Sequence, residues 1–313
     1  MSHYLAITGG VGGAKLALGL SRVLPPDELD FLVNTGDDFE HLGLHVSPDL
    51  DTLMYTLAGL ANPLTGWGRV DESWQFIDTL RGLGGEAWFN LGDRDLAVHV
   101  RRSCLLREGH SLSTVTQMLF AAHGIAHRAL PMCDHRVRTM VETAQGTLAF
   151  QDYFVRERCA PRVLGIRFDG AAQAEPSETL LAVLDSSTLA GIIICPSNPF
   201  LSVDPILAVS GLRDRLLRCD APIIAVSPII AGAAVKGPTG KIMEELALPQ
   251  PATAVAAHYG DLIDGFLVDR TDVELVAEIA ALGVKVEVAQ SLMQSLDDRI
   301  NLAHTALRFL QSF

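Results

Sequence analysis

Four glycines in five positions, Gly9-Gly10-Val11-Gly12-Gly13, separate an apolar run, Tyr4 to Ile7, from a helical pattern over Ala14 to Leu24 that Pro25-Pro26 stops. A strand, a glycine turn and a helix can hold a phosphate. Glycines let the backbone come close, and the helix N-terminus offers free N–H groups at a positive dipole end. Lys15, expected in the first helical turn, opposes that dipole, and an anion beside it would remove the conflict. The stretch matches neither common phosphate motif. Gly13 is followed by Ala14-Lys15-Leu16 instead of Gly-Lys-Ser/Thr, and Lys15 falls where the third glycine of a dinucleotide fingerprint belongs. A tight turn with no ligand is the plain alternative.

Carboxylates supply the next candidate chemistry. A strand over Asp30 to Val33 leads into Asn34-Thr35-Gly36-Asp37-Asp38. Polar groups at the C-terminal end of a parallel strand are where such sheets place ligands. Asp37 and Asp38 together suit Mg²⁺, a hard cation that shares oxygen ligands with substrate phosphates. They also suit an ordinary solvated turn. In Ser47-Pro48-Asp49-Leu50-Asp51-Thr52, Ser47 reads as an N-cap, Pro48 as the first helical residue, and Asp49 and Asp51 as first-turn acids of a helix to about Leu60. The alternative is that one of these acids faces a cleft and holds a substrate hydroxyl or a metal.

Two later strands end in loops of the same kind. Gly191 to Cys195 discharges into Pro196-Ser197-Asn198-Pro199. Pro222 to Val226 discharges into Ser227-Pro228 and the small-residue run that carries Lys236-Gly237-Pro238. Parallel strands put their C-terminal ends on one side, so all four loops are expected to converge. Asp93 is expected to cap a helix to about Arg107, and His99 on that helix to be a surface or packed residue. Trp67, Trp74 and Trp88 all fall between residues 61 and 92, where they can stack on a flat heterocycle or pack a small subdomain. Arg136 and Arg138 can meet a phosphate or pair with acids. A hairpin is expected at Met140 to Phe150, turning at Gln145-Gly146.

The strand and helix pattern predicts an α/β protein: a Rossmann-like, doubly wound, mainly parallel sheet forming a single domain over 1–313. A helical cap is expected at about 60–130. The chain has 313 residues, 49% of them hydrophobic and 19% charged. Mean hydropathy is +0.27, which suggests much buried sheet and a subunit interface. Net charge is −13, which argues against a nucleic-acid surface and leaves anions to focused donors and a metal. No apolar run reaches membrane-spanning length. The N-terminal residues read as a strand, not a signal peptide. Five scattered cysteines without a CxxC fit a reducing, cytoplasmic setting.

Taken in order, the motifs above, with Leu91-Gly92-Asp93-Arg94-Asp95, Leu130-Pro131-Met132 and Val226-Ser227-Pro228-Ile229-Ile230, resemble the 2-phospho-L-lactate transferase family of coenzyme F420 biosynthesis. The resemblance runs from residue 4 to about residue 270. It implies a Rossmann-like dimer that joins the deazaflavin Fo to a phospholactyl-type group: phospholactate, phosphoenolpyruvate or phosphoglycerate. The donor is a guanosine diphosphate adduct, GMP leaves, and Mg²⁺ is present. The terminal ribityl hydroxyl of Fo attacks phosphorus. By this resemblance Asp51 matches a position that contacts Fo, and Asp49 and Asp51 are the candidate catalytic acids. A second Fo-contacting position, where the archaeal pattern tends to carry Lys, holds Asn90 here. Gly10, Gly12, Gly13, Lys15 and Asn34 are candidate substrate-binding residues, and Asp37 and Asp38 are the metal candidates. Ser197, Asn198 and Lys236 are assigned to the guanosine diphosphate end from loop placement. Two rivals are a nucleotide-sugar-binding regulator of the same superfamily and a nicotinamide oxidoreductase. The expected location is cytoplasmic.

Overall fold

The structure is a computed structural model that describes residues 2–234, 239–246 and 251–313. Seven short segments build one parallel sheet: β1 (His3–Thr8), β2 (Leu29–Val33), β5 (Arg128–Pro131), β9 (Leu189–Ile194), β10 (Ile223–Val226), β13 (Gly265–Asp269) and β14 (Lys285–Ala289). Their order is β14-β13-β10-β9-β1-β2-β5. From β1 the chain first winds outward through β2 and β5. It then crosses back to β9 and winds the other way. The reversal lies between β1 and β9, the place where doubly wound sheets leave a crevice at their carboxyl ends.

Both faces of the central strands are covered, which is why β9 and β10 read as unbroken apolar runs, whereas β14 at one edge alternates Lys285-Val286-Glu287-Val288. Alternation still decides which face each residue serves. Tyr4, Ala6, Phe31, Val33, Ile193 and Val226 pack against α1 (Gly10–Val23), α2 (Pro48–Leu57), α4 (Asp93–Arg107), α5 (Leu112–Ala122) and α12 (Leu296–Leu310). Leu5, Ile7, Leu32, Ile192, Ile194 and Phe266 face α6 (Glu178–Leu184), α7 (Asp204–Leu207), α8 (Leu212–Leu217), α10 (Ala252–Tyr259) and α11 (Val276–Ala280). Thus α4 and α5, the long helices of the expected cap region, share a core with α1 and the sheet. The next strand, β5, closes one sheet edge.

Three smaller pieces frame the carboxyl ends. A ribbon of β3 (Phe39–His41) and β4 (Leu44–Val46) follows β2, and a two-stranded turn of β11 (Ile229–Ile230) and β12 (Ala233–Ala234) follows β10. The expected hairpin is present as β6 (Arg138–Thr143) and β7 (Gly146–Ala149). It gains a third strand, β8 (Val163–Asp169), that the sequence pattern did not single out. Val141, Phe150, Tyr153, Val163 and Leu201 form a core there with Ile242 of α9 (Thr239–Glu245).

Two acids exchange helix caps across the 61–92 segment. The Glu72 carboxylate accepts from Arg94 N and Asp95 N, each at 2.9 Å, at the start of α4. Asp93 accepts from Gln75 N at 3.2 Å, Phe76 N at 3.0 Å and Ser73 Oγ at 2.6 Å, where α3 (Gln75–Gly82) begins. Asp93 was expected to cap its own helix. It lies one residue inside that helix, so its side chain serves the neighbour, and Gly92 leaves no room for a side chain beside Glu72. Ser47 likewise stands at the N-cap position of α2 without capping it. Its hydroxyl donates instead to Asp38 Oδ2 at 2.8 Å. Among the described residues no helix is long and apolar enough to cross a membrane.

Candidate functional site

A cleft of about 530 Å³ opens at the carboxyl ends, over the reversal in strand order. Its lining draws on the loops after β1, β2, β9, β10 and β14, so the expected convergence is present. At its centre α1 begins at Gly10, with Gly9 extended before it, so Gly12 and Gly13 lie inside the helix rather than in a loop ahead of it. Lys15 accordingly sits in the second helical turn, not the first. It lines the cleft and donates to the Met293 carbonyl at 3.1 Å. The turn needs its glycines. Gly10 has φ 64°, the left-handed region. A Cβ on Gly12 would collide with the Pro196 carbonyl, and one on Gly13 with the Thr8 and Ser197 hydroxyls. Gly12→Ala is therefore expected to cost about 1–3 kcal/mol of stability. Thermal melts check this, and a wild-type melting temperature would contradict it.

Asp49 ties this turn to β2. Its carboxylate accepts from Gly10 N at 2.8 Å and from Asn34 Nδ2 at 2.9 Å. Asn34 also accepts from Gly36 N, so it acts as a bracket behind the site and is not part of the cleft lining. Burial pushes the Asp49 carboxyl up to about 6, against the pull of those two hydrogen bonds. Asp37 is pushed well above the ordinary carboxylate range by burial and by the neighbouring Asp49 charge. Its Oδ1 is buried with no hydrogen-bond partner. Asp38 lies outside the cleft lining and engages His45 Nε2 at 2.9 Å and the Ser47 hydroxyl.

Asp51 forms the floor with helix α4. Arg102, 2% exposed, grips both Asp51 oxygens through its two terminal nitrogens, one of them at 3.1 Å. His99 Nδ1 lies 3.2 Å from Arg102 Nη1. One turn earlier Asp95 accepts the Tyr55 hydroxyl at 2.5 Å. Burial works to raise the Asp95 carboxyl, but His99, Tyr55 and Arg102 outweigh it and hold the group below its usual range. Asp51, Asp95 and His99 each offer one ligand atom within 4.8 Å of the others. The sequence pattern singles out neither Asp95 nor Arg102 and leaves His99 as a surface or packed residue. The signal was their i, i+4, i+7 spacing, which puts all three on one helix face.

The walls are aromatic. Trp67, Trp88 and Phe89 come from the 61–92 segment, and Phe150 and Phe154 from beyond β7. The last two rings stack at 5.4 Å with 7° between planes. Arg156 sits 4.4 Å over the Trp88 ring. Asn90 stands in the lining beside Trp88 and Phe89. Ser197 and Asn198 also line the cleft. Ser197 Oγ accepts from Gly9 N, and Asn198 caps the turn at Phe200 and Leu201. Asp37, Asp49, Asp51, Gly10, Gly12, Lys15, Asn90, Ser197 and Asn198 are thus brought together in one lining, while Gly13, Asn34 and Asp38 stand behind it. Lys236 lies outside the described residues.

Comparisons with known proteins agree on one family. Residues 5–298 match the family described as "2-phospho-L-lactate transferase CofD". The chain is 42% identical to a Kitasatospora aureofaciens protein named phosphoenolpyruvate transferase, covering 97% of this chain and 96% of that one. It is 34% identical to a Methanocaldococcus jannaschii protein named 2-phospho-L-lactate transferase, covering 98% and 97%. A solved structure from Bacillus halodurans, described as a member of the UPF0052 family, superposes with a TM-score of 0.61 at 13% identity, covering 98% of this chain and 99% of that one. That last likeness speaks for the fold alone.

Proposed function

Given that the chain belongs to the 2-phospho-L-lactate transferase (CofD) family and is a transferase of phospholactate-type groups in coenzyme F420 biosynthesis, we propose that its acceptor is the deazaflavin Fo and its donor a guanosine diphosphate adduct that releases GMP. The observation that carries this reading is one cleft holding three different surfaces. It has a glycine turn at a helix N-terminus for phosphate, aromatic walls for a flat ring, and a buried carboxylate, Asp51, between them. In the proposed step the terminal hydroxyl oxygen of Fo bonds to the phosphorus that carries the acid, and the bond from that phosphorus to the GMP oxygen breaks. Asp51 accepts the hydroxyl hydrogen and orients the nucleophile. Phosphoryl transfer asks mainly for positioning and charge neutralisation, which these groups supply.

The residues present also fit a divalent cation. Asp37 Oδ1 is buried without a partner, and its carboxyl is raised by burial and by Asp49, a condition that a cation relieves. Asp37 and Asp49 would hold Mg²⁺, which when bound neutralises charge on the phosphates. Asp38 Oδ1 is likewise buried without a partner, but Asp38 Oδ2 is engaged by His45 and Ser47 and the residue lies outside the cleft lining, so it is the weaker of the two original candidates. For the donor we favour an enolpyruvyl group. Support comes from the 42% and 39% identity to chains named phosphoenolpyruvate transferase, against 34% and 37% for two named 2-phospho-L-lactate transferase.

Fo fluorescence titrations with and without GDP and Mg²⁺ test the reading. Saturable binding, tightened by GDP and Mg²⁺ together, is expected. Absence of binding in every condition would overturn the choice of acceptor. Turnover with the enolpyruvyl donor is expected to exceed that with the lactyl donor, and the reverse order would reject the donor assignment.

A further inference from the structure

Gln151 holds an amide that nothing in the described chain uses. The residue precedes the π-helical turn Asp152–Arg156 and is 7% exposed. It lines the cleft with Phe150, Phe154 and Val155. The polar side chains next to it are committed elsewhere. Asp152 pairs with Arg156 at 3.2 Å, and the Tyr153 hydroxyl accepts from Lys241 Nζ at 3.2 Å. The Gln151 amide has no hydrogen-bond partner among the described residues, yet neither of its polar atoms is sealed off. What stays accessible of the residue therefore opens on the cleft that it lines. Water can serve the amide while the cleft is open. A ligand that displaces this water has to replace its hydrogen bonds, because a polar group left unpaired under a ligand costs affinity.

The surroundings say which chemistry replaces the water. Phe150 and Phe154, on either side of Gln151 in sequence, stack at 5.4 Å with 7° between planes. They offer a planar ring an apolar wall, and a ring packed there can turn its edge to the amide. An amide carries a donor and an acceptor side by side in one plane, so its natural complement is a ring edge with N–H next to C=O. A phosphate would use the donor alone, and the glycine turn already serves phosphate. Both substrates of the proposed reaction carry such an edge, Fo on its pyrimidinedione ring and the donor on its guanine. The aromatic walls belong to the acceptor in the reading above, and that decides between them. We propose that Gln151 is a specificity-determining residue for the acceptor, its amide pairing with the N–H and C=O edge of the pyrimidinedione ring. The proposal rests on the acceptor reading and deepens it.

The test pairs a ligand change with a residue change. Fo, and an analogue methylated at the ring nitrogen between the two carbonyls, are titrated by fluorescence into wild type, Gln151→Leu and Gln151→Glu. GDP is titrated into the same proteins by calorimetry. Wild type is expected to prefer Fo by about 10- to 100-fold, because the methylated ring cannot donate to the amide. Gln151→Leu keeps the size of the side chain and loses both polar atoms. It is expected to weaken Fo about tenfold and to leave the analogue nearly unchanged, so that the ratio collapses. Gln151→Glu sets a carboxylate against the ring carbonyl and is expected to lose at least as much. GDP binding should be the same in all three proteins. Equal binding of both ligands by wild type, or an unchanged Fo affinity in Gln151→Leu, would overturn the pairing and leave the choice of acceptor standing. A ratio kept in Gln151→Leu would mean that the methyl group merely clashes, and would reject the role of the amide. Loss of GDP affinity with Fo affinity intact would assign the amide to guanine and overturn its assignment to the acceptor. Failure of wild type to bind Fo at all would overturn both readings. The comparison of the two ligands on wild type stands even where a variant does not fold.

Discussion

Asp51→Asn is expected to lower turnover about 10²- to 10³-fold, the scale seen when one preorganised electrostatic contact to a reacting group is removed. The same change disturbs the fold. Arg102 is 2% exposed and its terminal nitrogens are spent on Asp51. Removing that charge leaves a buried guanidinium uncompensated, a loss of about 3–5 kcal/mol. Asp51→Asn is thus expected to melt earlier as well as to turn over slowly. Combining it with Arg102→Met, which removes both charges and keeps the volume apolar, should restore much of the melting temperature and none of the activity. Steady-state turnover and thermal melts on the three variants separate the two effects. Recovery of activity in the double variant would mean that Asp51 acts only by holding Arg102.

Stability without a divalent cation is expected to fall as pH rises through 4 to 6 on account of Asp49. Its carboxyl titrates at about 6 in the folded protein, above its unfolded value, so the folded state keeps a proton that the unfolded chain releases. The contribution is present at low pH and lost through that window, by roughly 3 kcal/mol for this group. Asp37, raised well above the ordinary carboxylate range by burial and by Asp49, adds a loss of the same sign. A bound cation reverses the trend, because it favours the ionised forms. Addition of Mg²⁺ should therefore raise the melting temperature at pH 7.5 and do little at pH 5. Asp37→Asn should remove most of that difference, which cancels the contribution of other titrating groups. EDTA should abolish turnover. A melting temperature indifferent to Mg²⁺ at pH 7.5, or turnover that survives exhaustive chelation, would reject the cation reading.

The sheet was legible because apolar runs ending in polar loops have few other uses. Tyr4 to Ile7, Asp30 to Val33, Gly191 to Cys195 and Pro222 to Val226 all became neighbouring strands, and their loops met as parallel topology requires. The glycine turn was legible for the same reason, although its helix starts four residues earlier than the apolar spacing implied. Side-chain partnerships were not legible. Ser47 and Asp93 obey local capping rules in sequence, yet each spends its oxygen on a residue brought close only by the fold. His99 and Arg102 carry no signal of burial, since polar residues at helical spacing ordinarily face water. Their burial follows from Asp51 on another helix, 51 positions from Arg102 in sequence. Phe150 and Phe154 reach the cleft through a short π-helical turn at Asp152–Arg156, which no simple periodicity reports.

The exchanged caps of Glu72 and Asp93 have a consequence for building hybrids of related chains. The segment that carries Trp67, Trp88 and Phe89 meets, at Glu72 and at Gln75 and Phe76, the start of the helix that carries Asp95, His99 and Arg102, and each side holds the first turn of the other's helix. Aromatic wall and acidic floor are therefore inherited as one cassette, about residues 61–107. A graft that moves the wall but breaks off before Asp93 would strip the caps from both helices at once. These two surfaces should be exchangeable in this scaffold only as that whole block.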